Sequence, residues 1–400
     1  MPIQGEEEFF MNGLKVCAFL LVCSLLNSCA SIPPSSNPNI GDRLKIVEVN
    51  QILKTKKNGI NLIESNLAGL DLTDMNFENA NMASSYLYRT NFSGSNLSGA
   101  DLRGADLSHA LLENVDLRGA NLSSAILRKT KFKNANLTGA NLTGAVLKDA
   151  LLERSIFRNA NFTDANLSKV NINESLFEAA HFQNASFEGA RVFAADFKYA
   201  TLHNATLTKI QFINSKFQGA SLSNSHLSRS DFTGCLFHDA DLSFTIANEV
   251  NFTGADLQGS TFKHSDLQGA NFNKANLSSA VLTDAKLNEA QMRNVNLGNA
   301  QLANTQLFKA DMRDSSFVKA KINNSNFKKA RLSKSNFFKA NLNKTDLTDS
   351  DLTDANLQEA NIGQSIFTDA DIDKANFTFV KSIETAIGMS DAKNADDAKF

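Results

Sequence analysis

The sequence is poor in several features that mark common classes of protein. It has no Trp, only 4 Pro and only 4 Cys, and three of the cysteines (Cys17, Cys23 and Cys29) lie in or at the end of an apolar N-terminal stretch. Cys235 is then a single internal thiol, which excludes an intrachain disulfide framework and a cysteine-based metal site. Neither of the common glycine-rich phosphate-binding motifs occurs.

A surplus of charge of either sign is also missing. The 400 residues include 40 basic and 42 acidic side chains, and 39 of each remain once residues 1–28 are set aside. This balance argues against a nucleic-acid-binding protein, because such proteins need a basic footprint that displaces phosphate counterions. It argues equally against a strongly acidic decoy.

One apolar run stands out, residues 16–26 behind Lys15, and it is too short to cross a bilayer as a helix. We interpret it as the hydrophobic part of a secretory signal peptide, with an uncleaved anchor or an apolar cap strand as alternatives. The run ends in the motif LNSC, which resembles a bacterial lipobox and implies lipidation of Cys29. Because the opening MPIQGEEEFF is too acidic for a signal peptide, translation is predicted to start at Met11.

The most regular feature of the sequence is a five-residue period. A large apolar residue recurs at every fifth position from Leu62 to Phe377, which gives 64 positions, and 55 of these are Leu or Phe. A small residue lies two positions before nearly all of them, as in the stretch DLRGADLSHA. A period of five precesses around a helix and alternates between the faces of a strand. The chain must therefore turn a corner every five residues and point each large residue into a common core.

This pattern resembles the pentapeptide repeat family, whose unit is A(D/N)LXX, and the resemblance covers about 320 of the 400 residues. It implies an all-β solenoid, a right-handed quadrilateral β-helix with four units per coil, and hence about 16 coils. At the usual strand spacing of about 4.8 Å the coils would form a rod roughly 75 Å long. Each coil would contact only its neighbours, so both ends need covers.

The ends of the repeat are predicted from their own patterns. Residues 42–59 combine spaced apolar residues with lysines in the last turn and a final glycine, which predicts a short N-terminal capping helix. The last residues are polar, and we expect them to fray. The predicted organisation is a signal peptide (1–28), a lipidated cysteine with a flexible tether (29–41), the capping helix (42–59), the pentapeptide-repeat β-helix (60–387) and a frayed tail (388–400).

Two positions inside the repeat need their own explanation. Cys235 occupies a small inward position, so we expect it to serve in packing. Ala247 is the one large-residue position that holds a small side chain, and an unfilled cavity there would cost about 2 to 5 kcal/mol. We expect Phe244 or Ile246 to fold inward and fill it, which would make residues 243–250 irregular.

Catalytic and metal sites are not predicted. No two of the six histidines are 20 residues apart or in one unit, so three or four of them cannot converge on a zinc ion. A solenoid without inserted loops offers no cleft in which a nucleophile, a base and an orienting group could meet. We therefore expect a protein with no catalytic residues, no metal and no cofactor. The histidines are His109, His181, His203, His226, His238 and His264.

An outward apolar cluster is the first candidate for a partner surface. Ile156 and Leu176 are 20 residues apart and should stack on successive coils, and Phe193 and Ile213 should stack across the adjoining corner. We call these four residues the apolar corner. Solenoid faces are usually polar, so an apolar corner indicates a contact surface, although scattered exposed apolar residues are ordinary.

A basic girdle is the second candidate. Residues 309–344 carry a net charge of +8 and residues 346–373 a net charge of −8. Lys329 lies half a coil away from Lys319 and Lys339, so the lysines surround the solenoid. Neutralisation between adjacent coils is the simpler interpretation of the two bands, and an anionic partner is the alternative.

The sequence thus predicts a non-enzymatic, exported lipoprotein whose rod presents a rigid surface to another protein or an envelope component. It would be a monomer, lipid-anchored in the bacterial cell envelope (in the outer membrane if Gram-negative), with no nucleic acid as partner. The alternative is a cytoplasmic DNA-mimic pentapeptide protein that binds a type II topoisomerase. That branch of the family is acidic and often dimeric, and this chain departs from it in charge, in its leader and in lacking a C-terminal dimerisation helix.

Overall fold

Parallel pairing between residues 20 apart organises the chain. The computed structural model describes residues 41–55 and 59–400, which belong to one unit, Gly41–Phe400. The predicted signal peptide, Met11 and Cys29 lie outside the described residues. Parallel bridges recur from the pair Asn61 and Asn81 to the pair Asn356 and Asn376. A step of 20 residues is four pentapeptide units, so the chain passes along four sides before it pairs with itself. The fold is the parallel β-solenoid that the sequence predicts.

One side of the solenoid forms regular strands over five successive coils. In three of these coils, the backbone N–H at the corner after the strand donates to the Oγ of a serine 20 residues later, in the next coil. Ala135 N–H, for example, donates to Ser155 Oγ at 3.2 Å. Elsewhere the corner N–H usually closes a turn onto the core residue, as Ala100 N–H does onto Leu97 O. The strands pair in sequence order as a parallel sheet: β1 (Lys131–Lys133), β2 (Leu151–Glu153), β3 (Asn171–Asn173), β4 (Arg191–Phe193) and β5 (Gln211–Ile213).

The predicted inward register is confirmed as the register of the core. Every fifth residue from Leu62 to Phe377 is buried. Phenylalanines one coil apart stack face to face, with ring centroids 4.8 Å apart for Phe177 and Phe197 and 5.2 Å for Phe197 and Phe217. These separations match the spacing of paired strands, about 4.8 Å, because the rings repeat at the pitch of the backbone. Rings on adjoining sides meet edge to face, an arrangement that aromatic pairs favour, as Phe212 and Phe217 do at 5.0 Å.

Most of the polar residues in the small inward position bond to the backbone, and the hydroxyls of Ser335 and Ser350 are buried without a partner among the described residues. Ser95 Oγ donates to Leu72 O at 2.6 Å, and Ser265 Oγ donates to Leu242 O at 2.7 Å. Each hydroxyl reaches a carbonyl 23 residues earlier, in the preceding coil. A buried hydroxyl that is hydrogen-bonded in this way avoids the penalty of an unpaired polar group, so Ser and Thr can replace Ala there.

A short helix precedes the first coils. Helix α1 spans Ile46–Thr55, and Val49 is buried in it. Ile52 is one of several apolar residues of this helix that pack against the core. The side chain of Glu48 accepts the N–H of Lys45 at 2.6 Å, which satisfies a donor at the helix start. Among the described residues, no helix is both long enough and apolar enough to cross a membrane.

The C-terminal end differs from the frayed tail predicted for residues 388–400, and that prediction is wrong. In the last coil each side is six residues long instead of five. The last three bridges therefore join residues that are 21, 22 and 23 apart, instead of 20. Each six-residue side holds one 3-10 turn, and Phe400 stacks on Phe377 with centroids 5.3 Å apart. The turns are Ile383–Thr385, Met389–Asp391 and Ala395–Asp397, and the alanines that directly follow them and pack against the core are Ala386, Ala392 and Ala398.

The irregularity predicted around Ala247 is absent, so that prediction is also wrong. Phe244 is 54% exposed and Ile246 is 43% exposed, and Ala247 is buried in a regular unit. Phe244 N–H donates to Lys263 O at 2.8 Å and Ile246 N–H donates to Ser225 O at 3.1 Å. Turning either side chain inward would break these ladder bonds. The ladder therefore decides the orientation, and Phe244 packs outside, on His264.

Candidate functional site

The structure brings the apolar corner together as two stacked pairs. Ile156 bridges Leu176, and Phe193 pairs with Ile213 between β4 and β5. Phe193 is 48% exposed, and the other three side chains are half-buried. The apolar column ends after Leu176, since the next two positions along it form an ion pair, Lys216 Nζ to Asp196 Oδ2 at 4.0 Å. The corner is thus a small surface with one protruding ring, and its contact with a partner stays a prediction.

Sequence reasoning missed a further exposed apolar residue. Leu151 of β2 is 42% exposed and lies in the same sheet as Phe193. It occupies the unit position that usually holds Asn or Asp, where the side chain points outward. A search for apolar residues at that position would have found it. Leu151 is thus a separate exposed apolar residue of the same sheet, two strands away from Phe193, with the polar β3 between them.

The basic girdle is partly neutralised by its neighbours. Lys339 Nζ lies 3.4 Å from Glu359 Oε2, which joins the basic band to the acidic band. Arg293 and Arg313 both contact the carboxylate of Asp311, at 2.8 and 2.7 Å. Among the described residues Lys319 and Lys329 form no ion pair. A shallow depression of about 400 Å³ lies beside this cluster, and its mixed lining is Glu289, Lys309, Asp311, Lys329 and Arg331.

Two of the histidines each lie beside one carboxylate. His238 Nε2 lies against Asp256 Oδ2, and His264 Nδ1 lies 3.7 Å from Asp284 Oδ2. In residues 41–55 and 59–400, no three His, Cys, Asp or Glu side chains are placed to hold a metal ion together. The asparagine columns form side-chain ladders: Asn356 Nδ2 donates to Asn336 Oδ1 at 3.2 Å. These ladders stabilise the stack along its outside.

Cys235 is buried, and its Sγ donates to Phe212 O at 2.9 Å. Burial raises the pKa of this thiol from 9.0 to about 12. The thiolate is the reactive form, so this rise lowers the reactive fraction about a thousandfold at a given pH. Cys235 therefore serves in packing.

We expect Cys235 in the folded protein to react with iodoacetamide at least about a thousandfold more slowly than in concentrated urea, because both burial and the raised pKa oppose attack. Mass spectrometry of the Cys235 peptide after timed alkylation measures both rates. Equal rates in the two conditions would contradict the packing role.

The geometry defines a repeat solenoid whose variable residues face outward. Three models of pentapeptide repeats match the chain. The pentapeptide repeats model of 8 copies matches residues 60–99, 95–134, 135–173, 195–234 and 235–273. The pentapeptide repeat region model matches residues 255–332, 290–367 and 310–396. The pentapeptide repeats model of 9 copies matches residues 157–201. The chain belongs to the pentapeptide repeat family.

Several solved structures resemble the chain. HetL from the cyanobacterium Nostoc sp. strain PCC 7120, a pentapeptide repeat protein involved in heterocyst differentiation regulation, is 25% identical over 73% of this chain and 98% of its own, with a TM-score of 0.20. Rfr23 from the cyanobacterium Cyanothece 51142 is 29% identical over 34% and 94%, with a TM-score of 0.16. QnrB1, a plasmid-mediated fluoroquinolone resistance protein, is 21% identical over 50% and 85%, with a TM-score of 0.18. A comparison with curated proteins found no match.

Proposed function

We propose that the protein is a non-enzymatic lipoprotein of the bacterial envelope, which presents a rigid surface to another protein or envelope component. The observation that supports this proposal is the apolar corner on a fully paired backbone. Phe193 and Ile213 lie on paired strands, so their backbone cannot rearrange without losing ladder bonds. Contacts that are rigid before binding lose little conformational freedom on binding, which favours a presenting role for this surface.

We further infer that the 64 units stack as about 16 coils and that α1 covers the N-terminal end. The burial of Val49 and the packing of Leu44 and Ile52 against the core support the cover. Leu44 N–H also donates to Asn66 O at 2.9 Å, which occupies a carbonyl of the first coil. A repeat protein needs such end covers because its terminal units have a neighbour on one side alone.

Export through residues 1–28 and lipidation of Cys29 would place this surface in the envelope. The segment 29–41 is rich in Pro and Ser, so it would act as an extended tether and not as an anchor. Anchoring would then depend on acyl chains, and stable anchoring takes more than one chain. We therefore place the protein at a membrane of the envelope, with the repeat as its presented part.

Intact-mass analysis of the native protein tests export. We expect the mature chain to begin at Cys29 and to carry acyl chains, and we expect Cys29→Ser to release the protein from the membrane fraction. Cys23→Ser is the matched control and should change neither. A soluble species that keeps Met1 or Met11 would contradict the proposal.

That contradicting result would favour the second candidate, a cytoplasmic DNA mimic that binds a type II topoisomerase. Its requirement is an extended acidic surface. The most acidic segment of this chain is 346–373, and two of its eight acidic residues pair with cations, Glu359 with Lys339 and Asp373 with Lys374. One short acidic segment is not an extended acidic surface, and for this reason we rank the DNA mimic second.

A further inference from the structure

Basic side chains gather along one corner of the solenoid, far from the basic girdle in sequence. We call them the basic corner. Each follows a core leucine by one or two positions on the same side of its coil, so they share one corner by the 20-residue step. They lie in five of the seven coils from Arg89 to Lys209, and the next cation along the corner, Arg229, pairs with Glu249. The basic corner comprises Arg89, Arg128, Lys129, Lys148, Lys169 and Lys209, and the acidic residues among them are Asp149 and Glu188.

The backbone ladder holds these residues beside one another. His109 N–H donates to Arg128 O at 2.8 Å, and Lys129 N–H donates to Lys148 O at 3.1 Å. Lys129 has a φ of 55°, in the left-handed region, as do the other residues at the second position of the corner. Positive φ is costly for a residue with a side chain, and it recurs at this corner because the ladder imposes it. The backbone positions that carry the charges therefore repeat at the pitch of the coils.

The cations of the basic corner have no anionic partner. Among the described residues, none of the six forms an ion pair or donates a side-chain hydrogen bond, in contrast to Lys339 and Arg313 of the basic girdle. Arg89 packs over the ring of Tyr88 at 5.2 Å. Burial and the charges of Lys129 and Arg89 lower the pKa of His109, which lies between them. The corner thus has a positive potential and unused hydrogen-bond donors.

We propose that the basic corner binds a linear acidic polysaccharide that lies along the solenoid axis. Cations on successive coils, such as Lys129, Lys148 and Lys169, start from backbone positions about 4.8 Å apart along the axis, whereas each strand of duplex DNA carries one phosphate per about 3.4 Å of its axis, so a duplex strand falls out of register. Sites for single-stranded nucleic acid are grooves, and this site is a convex corner. A membrane surface would need a broad face instead of one column of charge.

An aromatic platform at one end of the corner fits the same class of ligand. The rings of Tyr86 and Tyr88 are nearly parallel, with an interplanar angle of 5° and centroids 6.0 Å apart, and His109 packs against Tyr88. Flat aromatic faces can pack against the C–H face of a sugar ring, and the adjacent Arg89 can meet its carboxylate. This surface is independent of the apolar corner, so the inference does not rest on the proposed function.

Polygalacturonate, which carries one carboxylate per sugar, is the probe for the full-length protein, with uncharged dextran as the reference. We expect binding that weakens steeply with salt, because it depends on displaced counterions. Arg128→Gln, Lys129→Gln and Lys148→Gln together should weaken binding at least about tenfold at low salt and make the slope of log K against log salt shallower by about 2. The matched control removes the same charge elsewhere, through Lys319→Gln, Lys329→Gln and Lys339→Gln, and should change binding less than about twofold.

Tyrosine emission gives a second readout, because the chain has no Trp and 3 Tyr, two of which are Tyr86 and Tyr88. Polygalacturonate should change this emission in the wild type and in the control variant. Equal loss of binding in both triple variants would overturn the inference, since binding would then follow net charge alone. Binding to duplex DNA or to anionic vesicles that is tighter than binding to polygalacturonate would overturn the ligand class, and no binding to polygalacturonate would overturn the site.

Discussion

Replacing Leu267 with Asp is expected to lower the free energy of unfolding by more than about 4 kcal/mol. The side chain of Leu267 is fully buried, and its N–H donates to Lys286 O at 2.7 Å in the next coil. A carboxylate at this place would lie between stacked coils with no donor to receive it. The loss should therefore be large even though the ladder bond itself is kept.

The matched control is Gln268→Asp, which introduces the same carboxylate one residue further on. The side chain of Gln268 is exposed, so we expect a change within about 0.5 kcal/mol. Urea unfolding measures both variants, and hydrogen exchange then shows which coils open, because coils of a repeat protein can unfold separately. Equal tolerance at the two positions would contradict the inward register.

The inward register could be predicted from sequence because the cause is local and repeated. Each large residue, from Leu62 onward, lies in the same place relative to its corner. Once the inward residue of one unit is identified, the inward residue of every other unit follows. The 20-residue step follows from four sides, and the bridges from Asn61 to Asn376 obey it. A rule of this kind needs no knowledge of distant contacts.

The C-terminal coil could not be predicted from the same rule, because its period changes. Ala386, Ala392 and Ala398 are six residues apart. A search for a five-residue period therefore assigns them to the polar surface and not to the core. The reason is geometric: each side there includes a 3-10 turn such as Ile383–Thr385, which takes one more residue than the usual corner. The spacing of the three alanines was the available signal.

Outward contacts were predicted less well than inward ones. A map with a 20-residue step places residues in columns, but several observed pairs are 18 apart, as are Arg293 with Asp311 and His238 with Asp256. In each of these pairs, the first residue directly follows a core residue. Its partner directly precedes the core residue one coil later, so the first side chain must lean across to reach it. The exposed fraction of outward side chains was equally hard to predict. Ile156 and Leu176 point outward, yet they are half-buried because neighbouring coils cover part of each side chain. Side-chain lean and cover depend on rotamers, which the repeat does not fix.

Loss of the apolar corner is expected to abolish recovery of the envelope partner after crosslinking in the native host. The four substitutions remove outward apolar area, and none touches an inward position, so the coils should stay folded with a modest loss of stability. Circular dichroism and urea unfolding check that the solenoid is intact. The variant combines Ile156→Ser, Leu176→Ser, Phe193→Ser and Ile213→Ser.

A matched control removes the same number of outward apolar residues from another side of the solenoid, at the unit position that Ile156 and Leu176 hold. Ile126 and Val146 form a stacked pair like that of the apolar corner, and Ile246 is exposed. The control variant combines Ile126→Ser, Val146→Ser, Ile246→Ser and Ile366→Ser, which share one column on another side of the solenoid, and it should recover the partner as the wild type does. Charge reversal of Lys319, Lys329 and Lys339 tests the basic girdle in the same assay.

Quantitative recovery of the crosslinked partner by these four proteins tests most directly whether the chain acts through its outer surface. We expect recovery by the wild type, by the control variant and by the charge-reversed variant, and none by the variant without the apolar corner. Recovery that survives the loss of Phe193 and its three neighbours, yet fails after the charge reversal, would move the site to the basic girdle. No partner for the wild type would contradict the presenting role and leave a structural spacer.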